Sequence, residues 1–237
     1  MYMLKIIKES LFINHIEYII VGCSVKGNDK FQNQDFWHVL QGGNSIVVSL
    51  ADGLGSSVFS KEGAELAVKI MSQTIENSAD LDIVADEFLS QWKNEIKSNY
   101  NLYDTTIRFI KVTDHYIYYG GIGDGWTGIK YDNRYIHERF DHLFSNQTDS
   151  ILTLGFKEKF KINHLFTNNI QVVLLATDGF SEDIDEGLQN DLLDIFAEWV
   201  KQDVDSFIEN LGSYLSNWPI SSNTDDKTVI LIIKKEE

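Results

Sequence analysis

Apolar and polar positions along this chain follow two different periods, which divide it into blocks of strands and helices. An apolar, β-branched run predicts a strand over residues 16–22. Two more strands are predicted over residues 36–40 and 45–51, and the Gly42-Gly43-Asn44 turn between them suits a hairpin. The chain therefore begins with strands.

The helical period of about 3.6 residues then appears twice in succession. The first helix is predicted to have Ser60 as its N-cap, with Glu62 in the first turn. Its apolar face consists of Ala64, Ala67, Val68, Met71 and Ile75. A second helix over residues 81–96 has a wider apolar stripe that includes Trp92.

Strand patterns return after Asp104 and are followed by two helices and a last strand. Short strands are predicted over residues 106–112, 115–121, 126–131 and 134–138. The nearly unbroken apolar run 170–176 predicts a central buried strand, residues 188–199 and 204–215 two helices, and residues 227–233 a strand. Because strands and helices do not alternate regularly, the pattern favours a layered α+β sandwich over a parallel sheet.

Composition limits the domain count and the partners. The chain has 237 residues, a single proline and no linker-like stretch, so one continuous domain over residues 1–237 is expected. Its formal net charge is -16, from 36 acidic and 20 basic residues. This balance excludes the usual electrostatic binding of nucleic acid and argues against anionic membrane surfaces.

Cys23 is the only cysteine, so an intramolecular disulfide is impossible, as suits a reducing compartment. We expect it to be a small core residue. The first fifteen residues lack the apolar run of a signal peptide, and no stretch approaches the length of a membrane span. These observations predict a cytoplasmic protein without a membrane partner.

Several aspartates occupy strand ends or turns. Asp52 and Asp178 each end an apolar strand and precede glycine, Asp225 precedes the last strand, Asp35 begins one, and Asp124 lies between two glycines. Taken singly, each is more typical of a turn, because Asp-Gly is a common turn dipeptide. Together they favour a carboxylate cluster, and such clusters need hard cations such as Mg²⁺ or Mn²⁺.

Six short motifs occur in one order along the chain. They are Asn33-Gln34-Asp35, Ala51-Asp52-Gly53-Leu54-Gly55, Asp104-Thr105-Thr106, Gly123-Asp124-Gly125, Ala176-Thr177-Asp178-Gly179-Phe180 and Asp225-Asp226-Lys227-Thr228. Each is weak alone, but in this order and in this strand and turn context they are specific. The chain resembles the type 2C metal-dependent protein phosphatases over about residues 22–233.

The resemblance implies a four-layer α/β/β/α sandwich, in which helix pairs flank two antiparallel sheets, and it implies two Mn²⁺ or Mg²⁺ ions. Asp52 would bridge both ions, the carbonyl of Gly53 would bind one of them, and Asp178 and Asp225 would hold the other. Asp35 would act mainly through metal-bound water. Asp52 and Asp178 would be catalytic through the metal-bridging water, which attacks phosphorus in line.

Three further positions matter to this resemblance. Asp124 matches a position that helps to hold a third metal in some family members. Leu54 stands where the family often has a histidine that protonates the leaving group. Lys30 stands where many members have a phosphate-binding arginine, and it can supply a point charge without a bidentate grip. Without the resemblance, Lys30 would be a solvated lysine in a turn.

The function predicted from these residues is a bacterial serine/threonine phosphoprotein phosphatase that hydrolyses phosphomonoesters in cytoplasmic signalling. Its partners would be phosphorylated proteins and a paired serine/threonine kinase. Two alternatives remain open at this point. One is a catalytically weak pseudophosphatase that acts as a regulatory binding module, which the replacements at Lys30 and Leu54 favour. The other is a phosphatase of small phosphorylated molecules.

Overall fold

The computed structural model describes residues 5–139, 148–166 and 169–235. The strands are β1 (Lys5–Ile13), β2 (Ile16–Val25), β3 (Asp35–Gln41), β4 (Ser45–Asp52), β5 (Ile107–Thr113), β6 (Tyr116–Ile122), β7 (Trp126–Tyr131), β8 (Arg134–Arg139), β9 (Lys161–Phe166), β10 (Ile170–Ala176) and β11 (Lys227–Lys234). The α-helices are α1 (Ser60–Asn77), α2 (Val84–Ile96), α3 (Phe156–Lys159), α4 (Asp178–Ser181), α5 (Gln189–Gln202) and α6 (Val204–Ser216).

The described residues form two compact units, and each unit is assembled from separate stretches of chain. The six-stranded unit contains residues 5–33, 125–139 and 169–235, and the five-stranded unit contains residues 34–124 and 148–166. The expectation of one domain over residues 1–237 stays a prediction.

The six-stranded unit is an antiparallel sheet in the order β1-β2-β11-β10-β7-β8, covered by α5 and α6. Alternate residues of the central strands, such as Val21, Leu174 and Leu231, meet Phe196 of α5 and Leu211 of α6 in one buried core. The predicted central position of β10 is confirmed, because β10 lies between β11 and β7. The long apolar runs of β10 and β11 follow from this position, since nearly all of their residues are buried.

The five-stranded unit is an antiparallel sheet in the order β3-β4-β5-β6-β9. Helix α1 packs against β3, β4 and β5, and α2 packs on α1. The apolar face predicted for α1 supplies Ala67 and Met71 to a core that also contains Val47 and Phe109 from the sheet and Trp92 from α2. Trp92 also donates a hydrogen bond from Nε1 to the Gly63 carbonyl of α1, at 3.1 Å.

These elements confirm the predicted α+β class with two antiparallel sheets flanked by helices. One detail of the prediction was wrong: α1 begins at Ser60, Phe59 takes the N-cap position, and no side chain caps the helix. The Ser60 hydroxyl instead accepts a hydrogen bond from the Gln34 side chain. Strands β1 and β9 were not predicted.

Cys23 is fully buried on β2, as expected for a core residue. Burial raises the pKa of its thiol to about 12, so the side chain stays protonated. None of the helices in the described part of the chain combines the length and the apolarity needed to cross a membrane.

Candidate metal centre

Asp35 and Asp52 form a cross-strand pair in the five-stranded unit. Asp35 opens β3 and lies directly opposite Asp52, which closes β4. Side chains of opposite residues project from the same face, with Cβ atoms about 4.5–5.5 Å apart. Asp35 is fully buried. Because like charges in this arrangement repel each other, the pair fits a bound cation with a preference for carboxylate oxygens.

The backbone of Asp52 is held from both sides by two threonines. Thr105 Oγ1 donates to the Asp52 carbonyl at 2.7 Å, and the backbone N–H of Thr106 donates to the same oxygen at 2.8 Å. Thr106 Oγ1 accepts from the Asp52 N–H at 2.9 Å. In the sequence, Thr105 and Thr106 stood out only as part of a family motif. In the structure they have a physical role, because they fix the chain at the end of β4.

Gly53 follows Asp52 at a place where the chain passes very close to helix α1. A Cβ at Gly53 would lie 2.7 Å from the backbone carbon and oxygen of Ser60, so only glycine fits. The N–H of Gly53 donates to the Gln34 carbonyl at 3.2 Å, and that of Leu54 donates to the Asp104 carbonyl at 3.1 Å. These contacts fix the segment whose carbonyl is the predicted metal ligand.

Asp104 supports this segment, and sequence reasoning assigned it no role. Its carboxylate accepts from the Ser150 hydroxyl at 2.7 Å and from the Thr105 N–H at 3.0 Å. Burial raises the pKa of Asp104 above its ordinary value, although both hydrogen bonds act to lower it. The only signal in the sequence was its place in front of the two threonines.

Asp124 lies in a turn that packs against Thr106, one of the same two threonines. Its carboxylate accepts a hydrogen bond from the Thr148 hydroxyl. The preceding Gly123 has a φ of 114°, and a Cβ there would lie 2.5 Å from the Thr106 Cβ. Its carbonyl accepts from the buried Arg108 guanidinium at 3.2 Å. Asp124 therefore lies at the end of the five-stranded sheet that also carries the Asp35–Asp52 pair.

Asp178 begins the short helix α4 in the six-stranded unit. Its Oδ1 accepts from the Gly179 N–H at 2.7 Å. A Cβ at Gly179 would lie 2.0 Å from the Asp226 carbonyl oxygen and 3.3 Å from the Asp225 Cβ. The structure thus brings the residue after Asp178 against the Asp225–Asp226 backbone, and this close approach explains why glycine follows Asp178.

Lys30 forms an ion pair with Asp225. Its Nζ lies 2.6 Å from Asp225 Oδ1, which also accepts the Asp226 N–H at 2.8 Å. Both side chains are partly exposed. The buried carboxylate of Asp226 has a structural partner, since its Oδ1 accepts the Gly27 N–H at 2.8 Å. The ammonium predicted to contact phosphate is therefore held at a predicted metal ligand.

The six-stranded unit contains a polar network around these ligands that sequence reasoning missed. Asn223 Nδ2 donates to the Gly179 carbonyl at 2.9 Å and to Asp183 Oδ2 at 2.6 Å, and Trp218 Nε1 donates to that same oxygen at 2.6 Å. Lys227 Nζ donates to Asn223 Oδ1 and to the Asp225 carbonyl, both at 2.9 Å. Burial lowers the pKa of Lys227, although the surrounding carboxylates act to raise it.

Two groups of predicted site residues result, one in each unit. The five-stranded unit carries Asp35, Asp52, Gly53 and Asp124, and the six-stranded unit carries Asp178, Asp225 and Lys30. Among residues 5–139, 148–166 and 169–235, no cluster of three or more His, Cys, Asp or Glu side chains has a metal-binding arrangement. The donor chemistry fits hard cations, because every predicted ligand atom is a carboxylate or carbonyl oxygen.

Solved structures that include serine/threonine phosphatases have the same fold. The catalytic domain of the serine/threonine phosphatase PstP, solved with two manganese ions, has a TM-score of 0.66 and 15% identity, with 93% of this chain and 99% of that chain covered. Stp1 from Staphylococcus aureus has a TM-score of 0.64 and 13% identity, with 100% and 96% covered. RsbX, solved with magnesium, has a TM-score of 0.58 and 15% identity, with 98% and 100% covered.

The fold is thus that of solved serine/threonine phosphatases, one of which contains manganese. A family model described as Protein phosphatase 2C matches residues 26–215. The chain belongs to the protein phosphatase 2C family. A search of curated proteins by sequence found no match.

Proposed function

We propose that this chain is a metal-dependent serine/threonine phosphoprotein phosphatase that hydrolyses phosphomonoesters and uses two Mn²⁺ or Mg²⁺ ions. The observation that carries the proposal is the Asp35–Asp52 pair, because two carboxylates opposite each other need a cation between them to be favourable. Family membership supports the reaction class. Manganese in the PstP structure and magnesium in the RsbX structure support the choice of ions.

The ligands of the two ions would be Asp35, Asp52, the Gly53 carbonyl, Asp178 and Asp225. Bound divalent cations acidify water and offset negative charge on phosphoryl oxygens, and this is the chemistry that they would supply. Asp52 and Asp178 would be catalytic in this sense only, through the ions that they hold.

Residues around the ligands have distinct tasks in this proposal. Thr105 and Thr106 keep Asp52 in place through its backbone, and Asn223 does the same for the turn after Asp178. Lys30 would attract the phosphate as a point charge from its place beside Asp225. Leu54 has no ionisable group, so water or another acid protonates the leaving oxygen.

Asp124 would contribute to a third ion. Its neighbour Gly123 packs on Thr106, which in turn holds Asp52. Asp124 therefore lies at the same end of the five-stranded sheet as Asp35 and Asp52. The substrates would be phosphorylated proteins, produced by a paired serine/threonine kinase in the bacterial cytoplasm.

The test is hydrolysis of an aryl phosphate by the full chain, with and without Mn²⁺. The informative variant is Asp178→Asn. Its matched control is Asp132→Asn, which makes the same change at an exposed turn residue of the same unit, in a left-handed conformation that asparagine tolerates. Manganese-dependent turnover in wild type and control, and its loss in Asp178→Asn, is the expected result. Equal turnover in both variants would refute the assignment.

A pseudophosphatase is the second candidate, and the Lys30–Asp225 ion pair favours it. An internal cation on a predicted ligand weakens the attraction of that ligand for a metal ion, and Leu54 removes a proton donor. Calorimetric titration with Mn²⁺ separates the two functions, since a folded chain that binds no Mn²⁺ would support the pseudophosphatase. Comparing phosphopeptides with free phosphorylated metabolites separates a protein phosphatase from a small-molecule phosphatase.

A further inference from the structure

Helices α5 and α6 of the six-stranded unit border an apolar groove with a volume of about 590 Å³. Apolar side chains line it at spacings of three and four residues on both helices: Leu192, Ile195 and Trp199 on α5, and Phe207, Leu211 and Tyr214 on α6. Such spacing places each set on one face of its helix. The apolar stripe of each helix therefore forms one wall of the groove.

The outer part of this groove is open to solvent. Phe207 and Leu211 are buried at its base, whereas Ile195 is 41% exposed and Trp199 and Tyr214 are each 50% exposed. Exposed apolar surface of this kind marks interaction sites. The α5 stripe from residue 192 to residue 199 extends over about 10 Å, so the groove matches about two turns of a bound helix.

The rim of the groove is acidic. Asp191 lies four residues before Ile195 and Glu198 three residues after it, so both exposed carboxylates flank the same apolar side chain. Glu182 and Asp185 are exposed on either side of Ile184, which also lines the groove. Residues 182–210 contain ten acidic residues and one basic residue.

The negative charge of the rim distinguishes between the possible binding partners of the groove. An anionic membrane surface would be repelled by the rim, and a second copy of this chain would bring the same acidic rim and a net charge of -16. An amphipathic helix with lysines or arginines beside its apolar stripe matches both the groove and the rim.

We propose that this groove binds a basic amphipathic helix of a partner protein. The partner helix would insert apolar side chains at positions i, i+3, i+4 and i+7, and its basic residues would face Asp191 and Glu198. The proposal does not depend on phosphatase activity, because none of the proposed metal ligands lines the groove.

The test uses two synthetic helices of about four turns with the same apolar stripe. One carries lysines beside the stripe and the other carries glutamates. Binding to the full chain is measured by fluorescence anisotropy at low and high salt. The lysine peptide should bind, the glutamate peptide should bind at least about tenfold more weakly, and salt should weaken the first interaction.

Variants of exposed residues then locate the binding surface. Asp191→Lys combined with Glu198→Lys should reverse the preference between the two peptides. The matched control makes the same change in charge at Glu87 and Glu95, which are exposed on α2. This control should keep the wild-type preference for the lysine peptide. Trp199→Ala should weaken binding of the lysine peptide by at least about tenfold. Circular dichroism checks that this variant is folded.

Several results would overturn the proposal. These are equal binding of both peptides, no binding of the lysine peptide, and unchanged binding by Trp199→Ala. Self-association of the wild-type chain that Trp199→Ala abolishes would assign the groove to a second copy instead. Binding of an apolar dye that the lysine peptide does not displace would assign it to small apolar molecules.

Discussion

The Lys30 ammonium lies 2.6 Å from a carboxylate oxygen of Asp225, so a cation of the chain itself meets a residue proposed to bind a metal ion. This contact gives Lys30 two opposing effects on the proposed reaction. Its charge disfavours a second cation at Asp225, and the same charge favours an anionic substrate.

Lys30→Gln separates these effects. We expect the variant to bind Mn²⁺ up to about fivefold more tightly, in line with the ~1 kcal/mol of a partly exposed ion pair, and to show a higher KM for phosphate esters. Calorimetry and steady-state kinetics measure the two quantities. Lys201→Gln, which removes an exposed charge from the same unit, should change neither. Weaker Mn²⁺ binding by Lys30→Gln would contradict this account.

Asp52→Asn tests the carboxylate pair at the end of β4. Removing one charge relieves about 0.2–1 kcal/mol of repulsion with Asp35, so the metal-free variant should melt at or slightly above the wild-type temperature. The rise in Tm that Mn²⁺ causes in wild type should be absent. Thermal melts with and without Mn²⁺ check both statements, with Asp132→Asn as the control. An undiminished response to Mn²⁺ in Asp52→Asn would show that Asp52 is not a ligand.

Gly179→Ala tests the close approach of α4 to the Asp225–Asp226 backbone. The added Cβ would lie 2.0 Å from a carbonyl oxygen, and backbone cannot move aside as a side chain can. We expect the free energy of unfolding to fall by about 1–3 kcal/mol or more. Gly43→Ala is the control, because its Cβ would meet nothing within 4 Å. Urea denaturation measures both variants, and equal stabilities would mean that the backbone at Asp226 accommodates a methyl group after all.

The pH dependence of stability tests Asp104. Burial raises its pKa in the folded state, so the folded state holds this proton more tightly than the unfolded state. Stability therefore falls as the pH rises from the ordinary carboxyl pKa through the raised one, and the loss persists at higher pH. Asp104→Asn lacks this titration.

The free energies of unfolding of wild type and Asp104→Asn should be compared from acidic to neutral pH. The difference should shift in favour of the variant as the pH rises. A shift in the opposite direction would mean that the hydrogen bonds from Ser150 and Thr105 outweigh burial.

The sequence predicted the central strands and the four long helices, but not β1, β9 or the short helices α3 and α4. The central strand β10 is buried along nearly its whole length, so its composition identified it. In β1 only two of nine residues are buried, and in β9 none is. Both are edge strands, whose extended form comes from backbone pairing with β2 and β6, and such pairing leaves little trace in local hydrophobic periodicity.

The same limit applies to the candidate site. Asp52 and Asp178 were predictable because each follows an apolar strand and precedes a glycine. Asn223 was not, because its bonds to Gly179 and Asp183 join residues about forty positions apart in the chain. The pairing of Lys30 with Asp225 also depends on tertiary structure, since only the folded chain brings these two residues together.

The position of β11 within its sheet has a consequence for biosynthesis. This strand lies between β2 and β10, so residues 227–234 complete the centre of a sheet that residues 16–25 begin. On the ribosome, the five-stranded unit has all of its strands available once residue 166 has emerged. The β1–β2 hairpin gains its neighbour β11 only after almost the entire chain has been translated. During that interval the apolar β2 is exposed and can be bound by chaperones.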